Sequence, residues 1–138
     1  MCYHTYAMVF REHKDGPNAR MQVFEILSRL DPALSGFSLD NWQSKIRHYV
    51  SVHDEYSGIQ PWRGSETSDF RYTDSSGTLT SMLIDKGYLR SNIWSGKRPE
   101  YYLEIKSTTG PCENPFYMSK YQYQTVCFLL WPFLCNRC

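Results

Sequence analysis

The sequence lacks the features that mark several large classes of protein. Its 15 lysines and arginines are nearly balanced by 14 aspartates and glutamates, which gives a formal net charge of +1. Dedicated nucleic-acid binders usually carry a strong basic excess, because displacing counterions from phosphates drives much of their affinity. The longest apolar stretch, residues 126–135, is shorter than the ~20 residues of a membrane-spanning helix and is interrupted by Pro132. We therefore expect no membrane anchor, and any contact with nucleic acid must come from a local patch.

Cysteines are few and unevenly placed. There are five, an odd number, and three of them lie in the last dozen residues. The start of the chain has no leader of charged, apolar and small residues. These features favour reduced thiols and an intracellular location, nuclear or cytoplasmic, over a secreted disulfide framework. Cys135 and Cys138 have the spacing of half a zinc site, but no second pair of ligands follows.

Familiar catalytic motifs are also missing. The sequence contains no convincing Ser/His/Asp or Cys/His arrangement, no glycine-rich loop for phosphate and no internal repeat. What it does contain is 41% hydrophobic residues, enough for a core, in a chain of 138 residues, which suits one domain. We place an irregular N-terminal segment at residues 1–16, the domain at 17–125 and an apolar, cysteine-containing tail at 126–138. The tail is either a buried terminal segment or a stretch foreign to the domain.

The order of the elements that the apolar periodicity predicts belongs to the α/β or α+β class with a mixed sheet, and we expect an α/β domain whose central sheet is flanked by helices. Pro17 suits a first helical position, Asp31-Pro32 stops that helix, and Gly87 suits the end of a later one. The apolar stripe of the first helix consists of Val23, Ile26, Leu27 and Leu30. The predicted elements are a helix over residues 17–30, a helical turn over 38–43, strands over 45–53 and 67–73, a turn over 74–77, a helix from Thr78 to Lys86, a strand over 101–107 and a final helix from Ser119.

One group of polar residues on the predicted strands has the residue types that form a metal site. Side chains alternate across a strand, so Tyr102, Glu104 and Lys106 share one face of the strand over residues 101–107. Asp69 lies on the polar face of the preceding strand. If the two strands are adjacent, Asp69 and Glu104 can share Mg²⁺, and Lys106 can orient a metal-bound water for phosphodiester cleavage. The plainer interpretation is that Glu104 and Lys106 are solvated residues on the wet face of a strand.

A local basic excess accompanies this group. Between residues 86 and 120 there are six basic residues and three acidic ones, with Trp94, Tyr101 and Tyr102 among them. Such a segment can contact a phosphate backbone and stack a base, or it can be a solvated loop beside a half-buried aromatic cluster. For the first alternative, the residues expected to contact nucleic acid are Lys97, Arg98, Ser119 and Gln122.

A longer block of sequence resembles a known family. The residues that carry the resemblance are 23–27 (VFEIL), 66–69 (ETSD), 79–89 (LTSMLIDKGYL), 97–112 (KRPEYYLEIKSTTGPC) and 115–120 (PFYMSK). They resemble the C-terminal domain of the protein NO VEIN and its fungal relatives, which is similar to the PD-(D/E)xK nucleases. The resemblance covers positions 17 to 124, and its most specific part is 97–112.

The resemblance implies a restriction-endonuclease-like fold with Asp69 and Glu104 as metal-site acids and Lys106 as the catalytic lysine. Two features depart from the family pattern. Ala19-Arg20 stands where relatives carry a Gly-Glu pair, and the apolar tail stands where the family domain continues, which implies a sheet truncated at its C-terminal end. Three hypotheses follow. The chain is a Mg²⁺-dependent nuclease or its derivative, a non-catalytic module that binds nucleic acid or protein, or an incomplete gene product without activity of its own.

Overall fold

Residues 16–105 and Lys120 are described in the computed structural model of the chain, and Lys120 is helical. Within them the fold combines helices with a two-stranded antiparallel sheet, which is consistent with the predicted α/β class. None of the helices in this part of the chain is long and apolar enough to cross a membrane. The elements are α1 (Gly16–Ser28), three 3₁₀ helices (Leu39–Asn41, Lys45–Val52 and Asp54–Tyr56), β1 (Phe70–Thr73), α2 (Thr78–Asp85), α3 (Ser91–Trp94) and β2 (Glu100–Leu103).

Helix α1 packs on the core through one stripe of small and branched side chains. Ala19, Val23 and Leu27 are buried, and their spacing of four residues places them on a single face of the helix. Ile26 belongs to the predicted stripe but is 48% exposed, so the buried face is narrower than the sequence suggests. The helix ends ahead of Asp31-Pro32, as predicted.

Strands β1 and β2 form the centre of the described fold. They pair antiparallel, with Phe70 opposite Leu103 and Tyr72 opposite Tyr101, and these four side chains are buried. The opposite face carries the exposed or half-buried residues. On its other edge β1 is bridged by Trp42, which is fully buried and stacks on Phe70 with ring centroids 5.5 Å apart. The core is therefore largely aromatic.

The prediction of a strand over residues 45–53 is wrong. Lys45–Val52 forms a 3₁₀ helix that packs against α1, and only Val50 in it is buried. Val52, which alternation would place beside Val50 on the core face, is 82% exposed. Apolar residues at alternate positions in this segment fit the pattern of a strand. The segment instead packs against α1, where it buries a single side chain, and its backbone forms the local turns of a 3₁₀ helix.

The strands next to the candidate metal site are shorter than predicted. β1 begins at Phe70 rather than at residue 67, because residues 67–69 bend and the Ser68 hydroxyl donates to the Phe70 carbonyl at 2.7 Å. β2 begins one residue early, at Glu100, and ends at Leu103. Ser107, the predicted end of that strand, lies outside the described residues, as do most of the predicted N-terminal segment and all of the tail.

A buried carboxylate fixes the start of α2. Asp74 is fully buried and accepts hydrogen bonds from the Thr80 amide at 2.8 Å and from the Thr80 hydroxyl at 2.7 Å. Thr80 in turn hydrogen-bonds the Tyr101 hydroxyl at 2.8 Å. Burial, together with the nearby Asp74 charge, raises the pKa of Tyr101 to about 12 against the opposing effect of the hydrogen bond with Thr80. This network ties α2 to β2.

Gly77 at the N-terminus of α2 provides a first test of the fold. Its φ is +77°, and a Cβ at this position would lie 2.3 Å from Nη1 of Arg98. We expect Gly77→Ala to lower the free energy of unfolding by about 1–3 kcal/mol, chiefly through the left-handed backbone, since the Arg98 guanidinium can move aside. Urea denaturation measures the loss. Gly58→Ala is the control, because its φ is not positive and its Cβ would enter open space; equal stability of the two variants would contradict the assigned conformation.

Glu100 gives the fold a pH-dependent contribution. Burial by itself would raise the pKa of Glu100, but hydrogen bonds from Arg71 and Tyr102 outweigh it, so the pKa is lowered. Arg71 Nε lies 2.7 Å from Glu100 Oε1, and the two side chains are 45% and 13% exposed. Solvent screening at Arg71 keeps the contribution below about 1 kcal/mol.

The sign of this effect is testable. Because folding lowers the pKa, the stabilisation is fully present above the ~4.3 of an unfolded glutamate and is lost as the pH falls through the lower folded-state value. We expect Glu100→Gln to be less stable than wild type at pH 7 and indistinguishable from it at pH 2 to 3 in urea titrations. Glu55→Gln, at an exposed glutamate, is the control and should show no such convergence. A deficit that persists unchanged at low pH would overturn the interpretation.

Candidate functional site

Asp69, the predicted metal-site acid, is buried where β1 begins. It is 2% exposed, and its backbone carbonyl accepts from the Gln43 amide at 2.8 Å. Its carboxylate oxygen Oδ2 accepts from the backbone amide of Ile105 at 2.7 Å. The Asp69 side chain thus continues the contact between the two strands where their backbone pairing ends.

The other carboxylate oxygen is paired with a cation supplied by α1. Arg20 Nε donates to Asp69 Oδ1 in an ion pair, and Arg20 Nη2 donates to the Ile105 carbonyl at 3.3 Å. The Arg20 side chain is 14% exposed. One guanidinium therefore spans Asp69 and the end of β2 and brings a full positive charge to the place predicted for a metal ion.

Glu104 lies close to this arrangement. The backbone pairing ends with Phe70 and Leu103, and Asp69 and Glu104 are the next residues of the two segments beyond that pair. Glu104 is half-buried and interacts with another residue. Lys106, the predicted catalytic lysine, lies outside the described residues. The strands are thus adjacent, as the metal-site hypothesis requires.

The described residues do not fit Mg²⁺ at this position. Mg²⁺ binds through carboxylate oxygens, waters and phosphates, and the two oxygens of Asp69 already accept from Arg20 and Ile105. A guanidinium in contact with the carboxylate repels a divalent cation and neutralises the charge that would attract one. Among residues 16–105 and Lys120 no group of three histidines, cysteines or acids could hold a metal ion. The arrangement acts as an internal ion pair.

Sequence reasoning marked Arg20 as a departure from the family pattern but missed its partner. A helix face predicts which residues point inward, and Arg20 follows the buried Ala19. What the sequence did not reveal is that α1 crosses the end of the sheet at Asp69, 49 positions away. The available signal was an arginine at a position where the family that the sequence resembles carries an acid.

Of the four residues predicted to contact nucleic acid, two are described by the structure. Lys97 and Arg98 are exposed: the Lys97 ammonium lies 5.2 Å from the ring centroid of Trp94, and Arg98 Nη1 donates to the Lys97 carbonyl at 3.0 Å. Ser119 and Gln122 lie outside the described residues. The two basic side chains are therefore accessible to an anionic partner.

The aromatic residues proposed for base stacking are buried or contact other side chains of the protein. Trp94 and Tyr101 are 4% and 0% exposed. Tyr102 is half-buried, its hydroxyl donates to Glu100 at 2.8 Å, and the Arg71 guanidinium lies 5.5 Å from its ring centroid. Trp94 and Tyr101 therefore offer no open face to a base, and the half-buried Tyr102 already contacts Glu100 and Arg71.

The ion pair at Asp69 can be measured by a double-mutant cycle. We expect Arg20→Met to destabilise the fold by about 3 kcal/mol, because it leaves a buried carboxylate without its cation. Combined with Asp69→Asn the loss should be smaller than the sum of the single losses, since a neutral amide needs no cation. Urea denaturation of the four proteins gives the coupling, and Arg29→Met, at an exposed arginine in the turn after α1, is expected to change stability by less than about 0.5 kcal/mol. Additive losses would contradict the pairing.

Comparison with known proteins adds no relative. Neither the family models, nor the curated proteins, nor the solved structures contain a match to this chain. The functional assignment therefore rests on the geometry around Asp69, on the exposed basic residues and on the resemblance in sequence.

Proposed function

We propose that this chain is a nuclease-derived module of the NO VEIN C-terminal type that binds nucleic acid without cutting it. The proposal includes a restriction-endonuclease-like arrangement of the sheet and an internal arginine in place of the catalytic metal. The observation that carries it is the Arg20 guanidinium, which pairs with the Asp69 carboxylate and contacts the Ile105 carbonyl.

The ion pair argues against hydrolysis on chemical grounds. In metal-dependent phosphodiester cleavage, carboxylates hold a cation that stabilises charge on the phosphoryl oxygens and lowers the pKa of a bound water. A guanidinium neutralises a carboxylate but supplies no activated water, because it has no open coordination position. Arg20 would thus keep the fold intact while removing the step that the metal performs.

Binding can persist after catalysis is lost, since the groups that contact phosphate differ from those that hold the metal. Lys86, Arg90, Lys97 and Arg98 are exposed, and no acidic residue occurs between positions 86 and 99. Contacts of this kind depend on counterion release, so they are sensitive to salt and indifferent to Mg²⁺. Nucleic acid is accordingly favoured as the partner.

A Mg²⁺-dependent nuclease is the second candidate, and one observation favours it. Asp69 directly precedes β1 and Glu104 directly follows β2 at the same end of this antiparallel pair, and this proximity in the fold supports a shared metal. For this function Arg20 would have to leave Asp69 when metal binds. The two candidates therefore differ in whether metal and Arg20 compete.

The decisive measurement combines binding and cleavage. With labelled single- and double-stranded DNA and RNA, we expect binding with the same Kd in 5 mM EDTA as in ~5 mM Mg²⁺ or Mn²⁺, and no cleavage products. Calorimetric titration with Mn²⁺ should give no saturable heat. Metal-dependent cleavage that disappears in both Glu104→Ala and Lys106→Ala would overturn the proposal and establish the nuclease.

A control separates a lost contact from a lost fold. Each variant is first compared with wild type by circular dichroism and urea denaturation. Arg29→Met serves as the arginine control for any change introduced at Arg20, because Arg29 is exposed in the turn directly after the same helix. Failure of wild type to bind any of the four nucleic acids would also overturn the proposal.

A further inference from the structure

The turn after α2 exposes a large aromatic side chain that the fold does not use. Tyr88 is 77% exposed, whereas the next residue, Leu89, is 7% exposed and anchors the turn in the protein. Within residues 16–105 no hydrogen bond or ring contact is recorded for the Tyr88 side chain. Its accessible ring is available to a partner.

The backbone holds this side chain in a defined position. Gly87 has a φ of +77°, its amide donates to the Ile84 carbonyl at 2.9 Å, and the Tyr88 amide donates to the Leu83 carbonyl at 2.9 Å. These two bonds form a Schellman motif, which ends the helix in a fixed turn. The residue after the glycine often packs back on the helix in such motifs. Here Leu89 is buried instead, and Tyr88 stays in solvent.

Basic side chains flank the ring on both sides along the chain. Lys86 and Arg90 are exposed and lie two residues before and two residues after Tyr88. Two residues of extended chain span at most about 7 Å, so both cations originate close to the ring. The nearest acids in sequence are Asp85 and Glu100, and Glu100 is already paired with Arg71. The surface therefore combines an open aromatic face with positive charge.

We propose that Lys86, Tyr88 and Arg90 bind single-stranded nucleic acid, with the Tyr88 ring stacked on an unpaired base and the two cations on neighbouring phosphates. The inference rests on the proposed function and names the form of nucleic acid that the module takes. We call these three residues the Tyr88 surface. Lys97 and Arg98 extend its charge along the same segment, whereas the buried rings of Trp94 and Tyr101 take no part.

The chemistry of the Tyr88 surface favours a single strand over other anionic partners. In a duplex the base faces are stacked on each other and cannot receive a tyrosine, whereas a single strand presents them. An acidic protein segment would use the cations but has no need of an exposed ring. A membrane surface would require a continuous apolar face. Within residues 86–99, Tyr88 is the only large hydrophobic side chain that is exposed.

The test measures binding of a fluorescent single-stranded oligonucleotide, with a duplex of equal length for comparison. We expect Tyr88→Ala to weaken single-strand binding about tenfold and Tyr88→Phe to preserve it, because stacking needs the ring and not the hydroxyl. Tyr49→Ala is the matched control: Tyr49 is 59% exposed and lies outside the surface. It should bind as wild type does.

Charge reversal tests the phosphate contacts. The double variant Lys86→Glu with Arg90→Glu should bind more weakly, and the slope of log Kd against log salt should fall by about 1.4, since each single-strand phosphate contact contributes ~0.7. Lys45→Glu with Arg63→Glu changes the net charge equally at exposed residues outside the surface. If both pairs weaken binding equally, the effect is one of net charge and the Tyr88 surface is overturned.

The outcomes distinguish this inference from the function on which it rests. Metal-independent binding by wild type, retained in full by Tyr88→Ala, would overturn the Tyr88 surface and leave the proposed function standing. Duplex binding as tight as single-strand binding would do the same. Binding to anionic vesicles or to an acidic peptide, with none to nucleic acid, would overturn both.

Discussion

The carboxylate of Asp69 joins three parts of the chain that are far apart in sequence. Its oxygens accept from Arg20 of α1 and from the amide of Ile105 after β2, while its backbone carbonyl accepts from Gln43. A buried carboxylate is stable only if it is hydrogen-bonded and its charge is compensated, and the Ile105 amide and Arg20 supply these two requirements. The position of α1 against the end of the sheet depends on this compensation.

A second buried aspartate stands at the other end of β1 and is stabilised differently. Asp74 receives two amide hydrogen bonds from the first turn of α2 and one from the Thr80 hydroxyl, with no cation in direct contact. Amides at a helix N-terminus carry partial positive charge, which offsets a carboxylate. Asp69 has a single amide and needs Arg20 as well. This contrast explains why the Asp69 carboxylate is paired with a cationic side chain whereas that of Asp74 is not.

In the described part of the chain, the residues that hold the fold together differ from the exposed residues that a partner could contact. The ion pair, the aromatic core around Trp42 and the network from Asp74 to Tyr101 hold α1, α2 and the sheet together. The segment after α2 contributes Leu89 and Trp94 to the interior and leaves its basic residues and Tyr88 in solvent. Different residues therefore stabilise the described fold and form its exposed basic surface, so a change in one set need not alter the other.

The sequence by itself determined the helices and turns whose signals are local: α1 with its stop before Pro32, the turn at Gly77, α2, and the apolar faces of β1 and β2. Through the resemblance it also marked Arg20 as a departure, but it left open whether the strands predicted to carry Asp69 and Glu104 are adjacent. Only the tertiary structure decided that Arg20 neutralises Asp69, that Lys45–Val52 is a 3₁₀ helix, and that Tyr88 rather than Trp94 is exposed. These outcomes depend on which surfaces meet across long sequence separations, and neither periodicity nor spacing carries that information.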